Sequence, residues 1–191
     1  MTLDRISSKR VLVRFDFNVP MKNGTIVNDF RIRQSLETIK KLLENDNKII
    51  IVSHLGRPTE GVYDKSLSLK PICKHLSEFL DTNIKFFSSY KDDINFEDYK
   101  IAMLENVRFN SGEKSCDSNL SKAYASLADH FVFDAFGVSH RKECTTYGVS
   151  DYLTTHAGHN ISNEIATINK LINENSKPMT IIISGAKVST K

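Results

Sequence analysis

Six short runs of the chain are largely apolar in succession rather than alternately apolar and polar: residues 11–15, 49–52, 84–87, 101–104, 131–133 and 180–183. Nearly continuous apolar runs of this length suit strands covered on both faces, which places each in a parallel sheet. Between most of them the apolar positions change to a helical period. Leu36, Ile39, Leu42 and Leu43 form one stripe, and Leu69, Ile72, Cys73, Leu76, Phe79 and Leu80 a second behind Ser68 as its N-cap. Leu120, Ala123, Tyr124 and Leu127 form a third, and Ile165, Ile168, Leu171 and Ile172 a fourth behind Ser162. Every stripe is expected to pack into the core. Strand and helix alternate, so the pattern predicts a doubly wound α/β domain: a mainly parallel six-stranded sheet with helices on both faces and right-handed crossovers. One feature interrupts it. Asn23-Gly24, between Met21 and residues 25–27, reads as a tight hairpin, because that dipeptide tolerates the positive φ angles of such turns.

At 191 residues the chain has room for one large domain with a sizeable core, and no repeat or linker-like stretch divides it. Charge narrows the partners: 26 basic against 23 acidic residues leave only +3, so neither a nucleic acid nor an acidic membrane surface is expected. Cys73, Cys116 and Cys144 are odd in number, far apart and without a CxxC pair, which suits a reducing compartment. Residues 1–10 carry no apolar signal segment, and the run at residues 49–52 is far below membrane-spanning length. The expectation is a soluble, cytoplasmic monomer. The chain ends eight residues past its last expected strand, with no closing helix.

Ligands of open α/β sheets bind beyond the carboxyl ends of the strands, so the residues that follow each strand carry the functional information. They are one-sided in charge. Asp16, Asn18, Arg31 and Arg33 follow the first strand and its hairpin; His54, Leu55, Gly56 and Arg57 follow the second; Asn106 and Arg108 the fourth; Asp134, Gly137, His140 and Arg141 the fifth; Gly185 and Lys187 the last. Any one of these is an ordinary loop residue. Together they put cationic donors on one rim of a nearly neutral protein, a self-repulsion that an anionic ligand relieves. Arginine suits bidentate recognition of phosphate and carboxylate, and Gly56, Gly137 and Gly185 permit close backbone approach. Asp16 and Asn18 fit a ligand hydroxyl or orient the arginines. A small hydroxy-acid phosphate would use them all.

Other phosphate machinery is absent from the sequence. No GxGxxG follows the first strand, and Ser184-Gly185-Ala186-Lys187-Val188-Ser189-Thr190 lacks the spacing and order of a P-loop. No HExxH, nucleophile elbow or spaced metal-ligand cluster occurs.

Five ordered blocks carry a resemblance that runs from about Arg10 to the last residue. They are Arg14-Phe15-Asp16-Phe17-Asn18-Val19-Pro20, Ser53-His54-Leu55-Gly56-Arg57-Pro58, Leu104-Glu105-Asn106-Val107-Arg108-Phe109, Asp134-Ala135-Phe136-Gly137-Val138-Ser139-His140-Arg141 and Gly185-Ala186-Lys187-Val188-Ser189-Thr190-Lys191. In this order they resemble the hallmark blocks of the phosphoglycerate kinases. The resemblance implies a Rossmann-like substrate domain and reversible phosphoryl transfer between 1,3-bisphosphoglycerate and ADP, giving 3-phosphoglycerate and ATP. By position it implies that Asp16, Asn18, Arg31, His54, Leu55, Gly56, Arg57, Arg108 and Arg141 bind 3-phosphoglycerate and that His140 lines the site. Arg31 and Lys187 would compensate charge on the phosphoryl group in flight, and Lys191 would meet the nucleotide phosphates. Two departures stand out: Ser184 replaces a glycine, and residues 157–164 are more polar than the expected apolar helix start. The family's second domain, which binds most of ADP/ATP and Mg2+, would begin beyond Lys191. Residues 1–191 are therefore expected to be the amino-terminal substrate-binding domain of that enzyme, nearly inactive alone. A freestanding phosphoglycerate- or oxyanion-binding module without catalysis is the competing expectation.

Overall fold

The computed structural model describes residues 3–173 together with Thr180 and Ile182. Its strands and helices are β1 (Arg10–Phe15), β2 (Met21–Lys22), β3 (Thr25–Ile26), α1 (Phe30–Glu44), β4 (Lys48–Val52), α2 (Lys70–Leu80), β5 (Ile84–Phe87), β6 (Ile101–Leu104), α3 (Ser118–Ala125), β7 (His130–Asp134), β8 (Thr154–Ala157) and α4 (His159–Asn173). Six strands form one sheet in the order β5-β6-β4-β1-β7-β8, and every neighbouring pair is parallel. The hairpin forms as expected: β2 pairs antiparallel with β3 around Asn23 and Gly24, whose φ angles are 51° and 76°.

The central strands are apolar throughout because successive side chains enter opposite layers. Val11, Val13, Ile49, Ile51, Ile101 and Met103 pack with Ile32, Ile39 and Leu42 of α1 and with Ile72 and Leu76 of α2. Leu12, Ile50, Val52, Ala102, Leu104 and Phe131 pack on the other face with Leu120 and Tyr124 of α3. The sheet is therefore covered by helices on both sides.

Four details differ from expectation. The sixth strand is β8, whose sequence Thr-Thr-His-Ala has no apolar run. It lies at the sheet edge beside β7 alone, and its first two residues are exposed, so burial on both faces is not required of it. The strand expected at residues 180–183 falls largely outside the described residues and is not one of the four. Ser68 does not occupy the N-cap of α2, which is Leu69. Its hydroxyl instead donates to Glu105 Oε2 at 2.6 Å while accepting from Lys70 N at 3.2 Å, and Glu105 Oε1 accepts from Leu69 N at 2.8 Å. A carboxylate thus covers this helix start, where unpaired N–H groups favour negative charge.

The fourth helix begins at His159, three residues before the expected Ser162 cap. Asp134 anchors it: Oδ1 accepts from Ile161 N at 3.0 Å, and Oδ2 from Asn160 Nδ2 at 3.0 Å and Thr38 Oγ1 at 2.6 Å. The polar start at residues 157–164 is thereby explained, since it docks through hydrogen bonds to a buried carboxylate. Gly158 is required there, because a Cβ at that position would stand 2.2 Å from Asp134 Cγ. Beyond this first turn the apolar stripe is not core. Ile165, Ile168, Leu171 and Ile172 are exposed, and Ile161 is the buried residue of the helix.

Candidate anion-binding site

The carboxyl ends of β1, β4, β6 and β7 stand side by side through the parallel registers, so the segments that follow them converge. Beyond β1, Phe17 is buried and stacks on Phe15 with ring centroids 5.4 Å apart, which leaves Asp16 and Asn18 turned to the rim. Asp16 Oδ1 accepts from Asn18 N at 3.1 Å, and Asp16 Oδ2 receives Arg31 Nη1 at 2.8 Å. Arg31, in the first turn of α1, also reaches the Asn18 carbonyl at 3.3 Å. Asn18 Oδ1 in turn accepts from Gly56 N at 2.9 Å, which ties the β1 loop to the β4 loop.

Gly56 sits at φ +62°, a left-handed conformation open to glycine, and a Cβ there would lie 2.6 Å from Leu67 Cδ2. Its carbonyl accepts from Arg108 Nη1 at 2.9 Å, while Arg108 Nη2 pairs with Glu143 Oε1 at 3.0 Å. The same carboxylate oxygen takes Arg141 Nη1 at 3.4 Å. Glu143 therefore holds two arginines from different loops. Asn106, named above for its place after β6, is fully buried scaffold: its Nδ2 donates to Leu55 O at 2.8 Å and Leu67 O at 2.9 Å. Leu55 is likewise buried.

His54 is buried against Arg14, whose Nη2 lies 3.1 Å from His54 Nδ1. A guanidinium only donates, so Nδ1 must be the acceptor and the ring proton resides on Nε2. Burial pushes the imidazole down to about 2, and the charges of Arg14, Arg108, Arg141 and Arg31 push in the same direction. His54 is thus a neutral hydrogen-bond donor within the field of four arginines. Arg14 itself is fully buried; Nη1 donates to the Phe15 carbonyl and reaches Ser53 Oγ at 3.4 Å. Burial weakens its hold on its proton, and Glu113, Asp16 and Glu143 counter that.

Of the residues named from sequence, Asp16, Asn18, Arg31, His54, Gly56, Arg108 and Arg141 are brought into this connected rim. Arg57 and His140 are exposed, and neither has a hydrogen bond or ion pair among the described residues. Asp134 faces inward as the anchor of α4, and Arg33 turns back along its own helix to Asp29, Nε to Oδ1 at 2.9 Å. Gly185, Lys187 and Lys191 lie outside the described residues. Arg14, Glu113 and Glu143 were missed. Arg14 had a visible signal, a charge inside an otherwise apolar strand; the two glutamates sit in loops with no local mark. A cavity of about 200 Å³ opens where β1 and β7 end, lined by Asp16, Arg31, Gly137 and Phe136 among others. Larger cavities, such as one of about 850 Å³ beside α2 and β5, lie away from this rim.

A doubly wound parallel sheet whose carboxyl edge gathers several arginines near a neutral histidine is chemically suited to small polyanions of the phosphate and carboxylate type. The family is more specific than the class. A family model described as phosphoglycerate kinase matches residues 2–191, and the chain belongs to that family. It is 46% identical over 187 residues to the phosphoglycerate kinase of Francisella tularensis subsp. novicida (strain U112), covering 97% of this chain and 48% of that protein. The solved phosphoglycerate kinase from Coxiella burnetii superposes with a TM-score of 0.87 at 39% identity, over 96% of this chain and 47% of that one. The enzyme from Pyrococcus horikoshii OT3 gives 0.84 at 28% identity, over 96% and 48%. The chain thus spans about half the length of the relatives it matches. Among the described residues, no group of three or more His, Cys, Asp or Glu could hold a metal ion, and no helix is long and apolar enough to cross a membrane.

Proposed function

We propose that residues 1–191 are the substrate-binding domain of a phosphoglycerate kinase, which transfers a phosphoryl group between 1,3-bisphosphoglycerate and ADP to give 3-phosphoglycerate and ATP. The observation that carries this reading is the convergence of Arg31, Arg108 and Arg141 on the loops beyond the strand ends, beside a neutral His54 held by Arg14. Phosphoryl transfer needs alignment and compensation of spread negative charge more than it needs a nucleophile, and arginines supply both. Arg108 and Arg141, held by one carboxylate, would grip the ligand's phosphate and carboxylate, with Arg57 and His140 free to close over it. His54 would add a neutral N–H. Asp16 and Asn18 would receive the hydroxyl, and Arg31, already paired to Asp16, would face the transferred group. Leu55 and Gly56 shape the floor through their backbone.

On this reading the remaining half of the family's length binds Mg2+ with ADP or ATP. Lys187 would then steady the phosphoryl group, and Lys191 would reach the nucleotide. The enzyme would act as a cytoplasmic monomer, and closure of two domains would exclude water from the transfer. Titration calorimetry with 3-phosphoglycerate tests the site in this chain. The wild type should bind, and Arg57→Ala should bind roughly tenfold or more weakly, the loss of one charge-assisted contact. No binding by a folded wild type, or equal binding by both, overturns the assignment.

A further inference from the structure

We propose that Cys116 and Cys144 form a dithiol oxidation site, which a hydroperoxide converts to an intrachain disulfide. Both cysteines are free, and they come from loops far apart in sequence, one before α3 and one beyond β7. Their backbones meet on a single oxygen: Cys144 N donates to the Glu113 carbonyl at 2.9 Å and Cys116 N to the same atom at 3.3 Å. The sulfur of Cys144 reaches further onto the other loop, contacting Gly112 O at 3.2 Å and Asp117 O at 3.3 Å. Asp117 directly follows Cys116, and its carbonyl also accepts Ser121 Oγ at 2.8 Å. The Cys116 sulfur closes the group, because a Cβ placed on Gly148 would stand 2.9 Å from it and 2.1 Å from Ser121 Oγ. Two backbones held on one carbonyl, with both sulfurs near Ser121, bring the pair together, and a disulfide demands such a short reach.

The two thiols differ in access. Cys144 is buried, and burial pushes its thiol up to about 12, so it stays protonated. Cys116 is half-buried and meets an oxidant first. The terminal peroxide oxygen transfers to the Cys116 sulfur, giving a sulfenic acid and, from hydrogen peroxide, one water. The Cys144 thiol then condenses with the sulfenic acid, losing its proton as its sulfur attacks the Cys116 sulfur. The S–S bond forms, the S–O bond breaks, and hydroxide leaves to take up the Cys144 proton as a second water. Two thiols are oxidised by two electrons and one peroxide is reduced by two. The bond would staple the loop before α3 to the loop that carries Glu143, and hence Arg108 and Arg141.

The test uses the full 191-residue chain, treated with hydrogen peroxide, alkylated and mapped without reduction. The expected product has lost two hydrogens in mass and joins the Cys116 and Cys144 peptides. Cys73 remains alkylatable, dithiothreitol restores both thiols, and the melting temperature rises by several degrees. Cys116→Ser should abolish both the cross-link and the thermal shift. Cys144→Ser should leave Cys116 as a sulfenic or sulfinic acid; should that variant fail to fold, the Cys116→Ser comparison still decides. Free thiols at both positions after treatment, a cross-link between chains or to Cys73, or over-oxidised Cys116 beside an intact Cys144 thiol would each overturn the proposal.

Discussion

Replacing Glu113 with glutamine should make the protein more stable at pH 8 and leave it nearly unchanged at pH 4.5. Glu113 is fully buried; Oε1 accepts from Thr145 Oγ1 at 2.5 Å and Thr145 N at 3.2 Å, and Oε2 has no partner among the described residues. Burial pushes the carboxyl up from 4.5 to about 7, against the opposing help of Thr145 and Arg14. Folding therefore tightens the hold on this proton. The resulting stability is fully present below pH 4.5 and is lost as pH rises through 7. By pH 8 the loss amounts to about 3 kcal/mol. Glutamine mimics the protonated form at every pH, so the gap between variant and wild type should open by that amount from pH 4.5 to 8. His54 runs the other way, its folded value of about 2 making stability fall below pH 6.5, but it is present in both proteins and drops out of the difference. Urea unfolding followed by circular dichroism across this range measures the gap. A difference that does not vary with pH would falsify the argument, whatever its size.

Two further substitutions probe the scaffold. Glu143→Gln leaves Arg108 and Arg141 without their shared negative charge and should cost about 3 kcal/mol in urea unfolding, as removal of one partner of a buried ion pair does; 3-phosphoglycerate should recover part of it, and an unchanged midpoint would mean that the carboxylate does not hold the arginines. Gly158→Ala forces a methyl group onto Asp134 and should lower stability by about 2 kcal/mol or more, read as a drop in melting temperature, with no drop contradicting the close approach.

The central strands were legible because burial on both faces leaves a continuous apolar run, as in Ile49, Ile50, Ile51 and Val52, and the hairpin because Asn23-Gly24 has a local conformational meaning. β8 was not, because an edge strand with exposed positions has no compositional need to be apolar. The stripe of α4 is periodic yet exposed among the described residues: periodicity reports that a helix has an apolar face, not what lies against it. Arg31, Arg108 and Arg141 could be named from their places after strands, whereas Arg14, inside a strand, and Glu113 and Glu143 were not. The role of the two glutamates arises from loops brought together in space, and only the geometry shows a carboxylate between Arg108 and Arg141.

Burial, together with the Arg14 guanidinium on Nδ1, keeps His54 itself uncharged across the physiological range. A free imidazole would gain charge as the pH fell toward 6, and the rim would become more attractive to anions just as a phosphate monoester, with a second ionisation near 6, became less charged. With His54 fixed as a neutral donor that compensation is gone. The share of the encounter that falls to His54 stays constant, and acidity is registered instead through the charge of the ligand and through Glu113, whose carboxyl is pushed up to about 7.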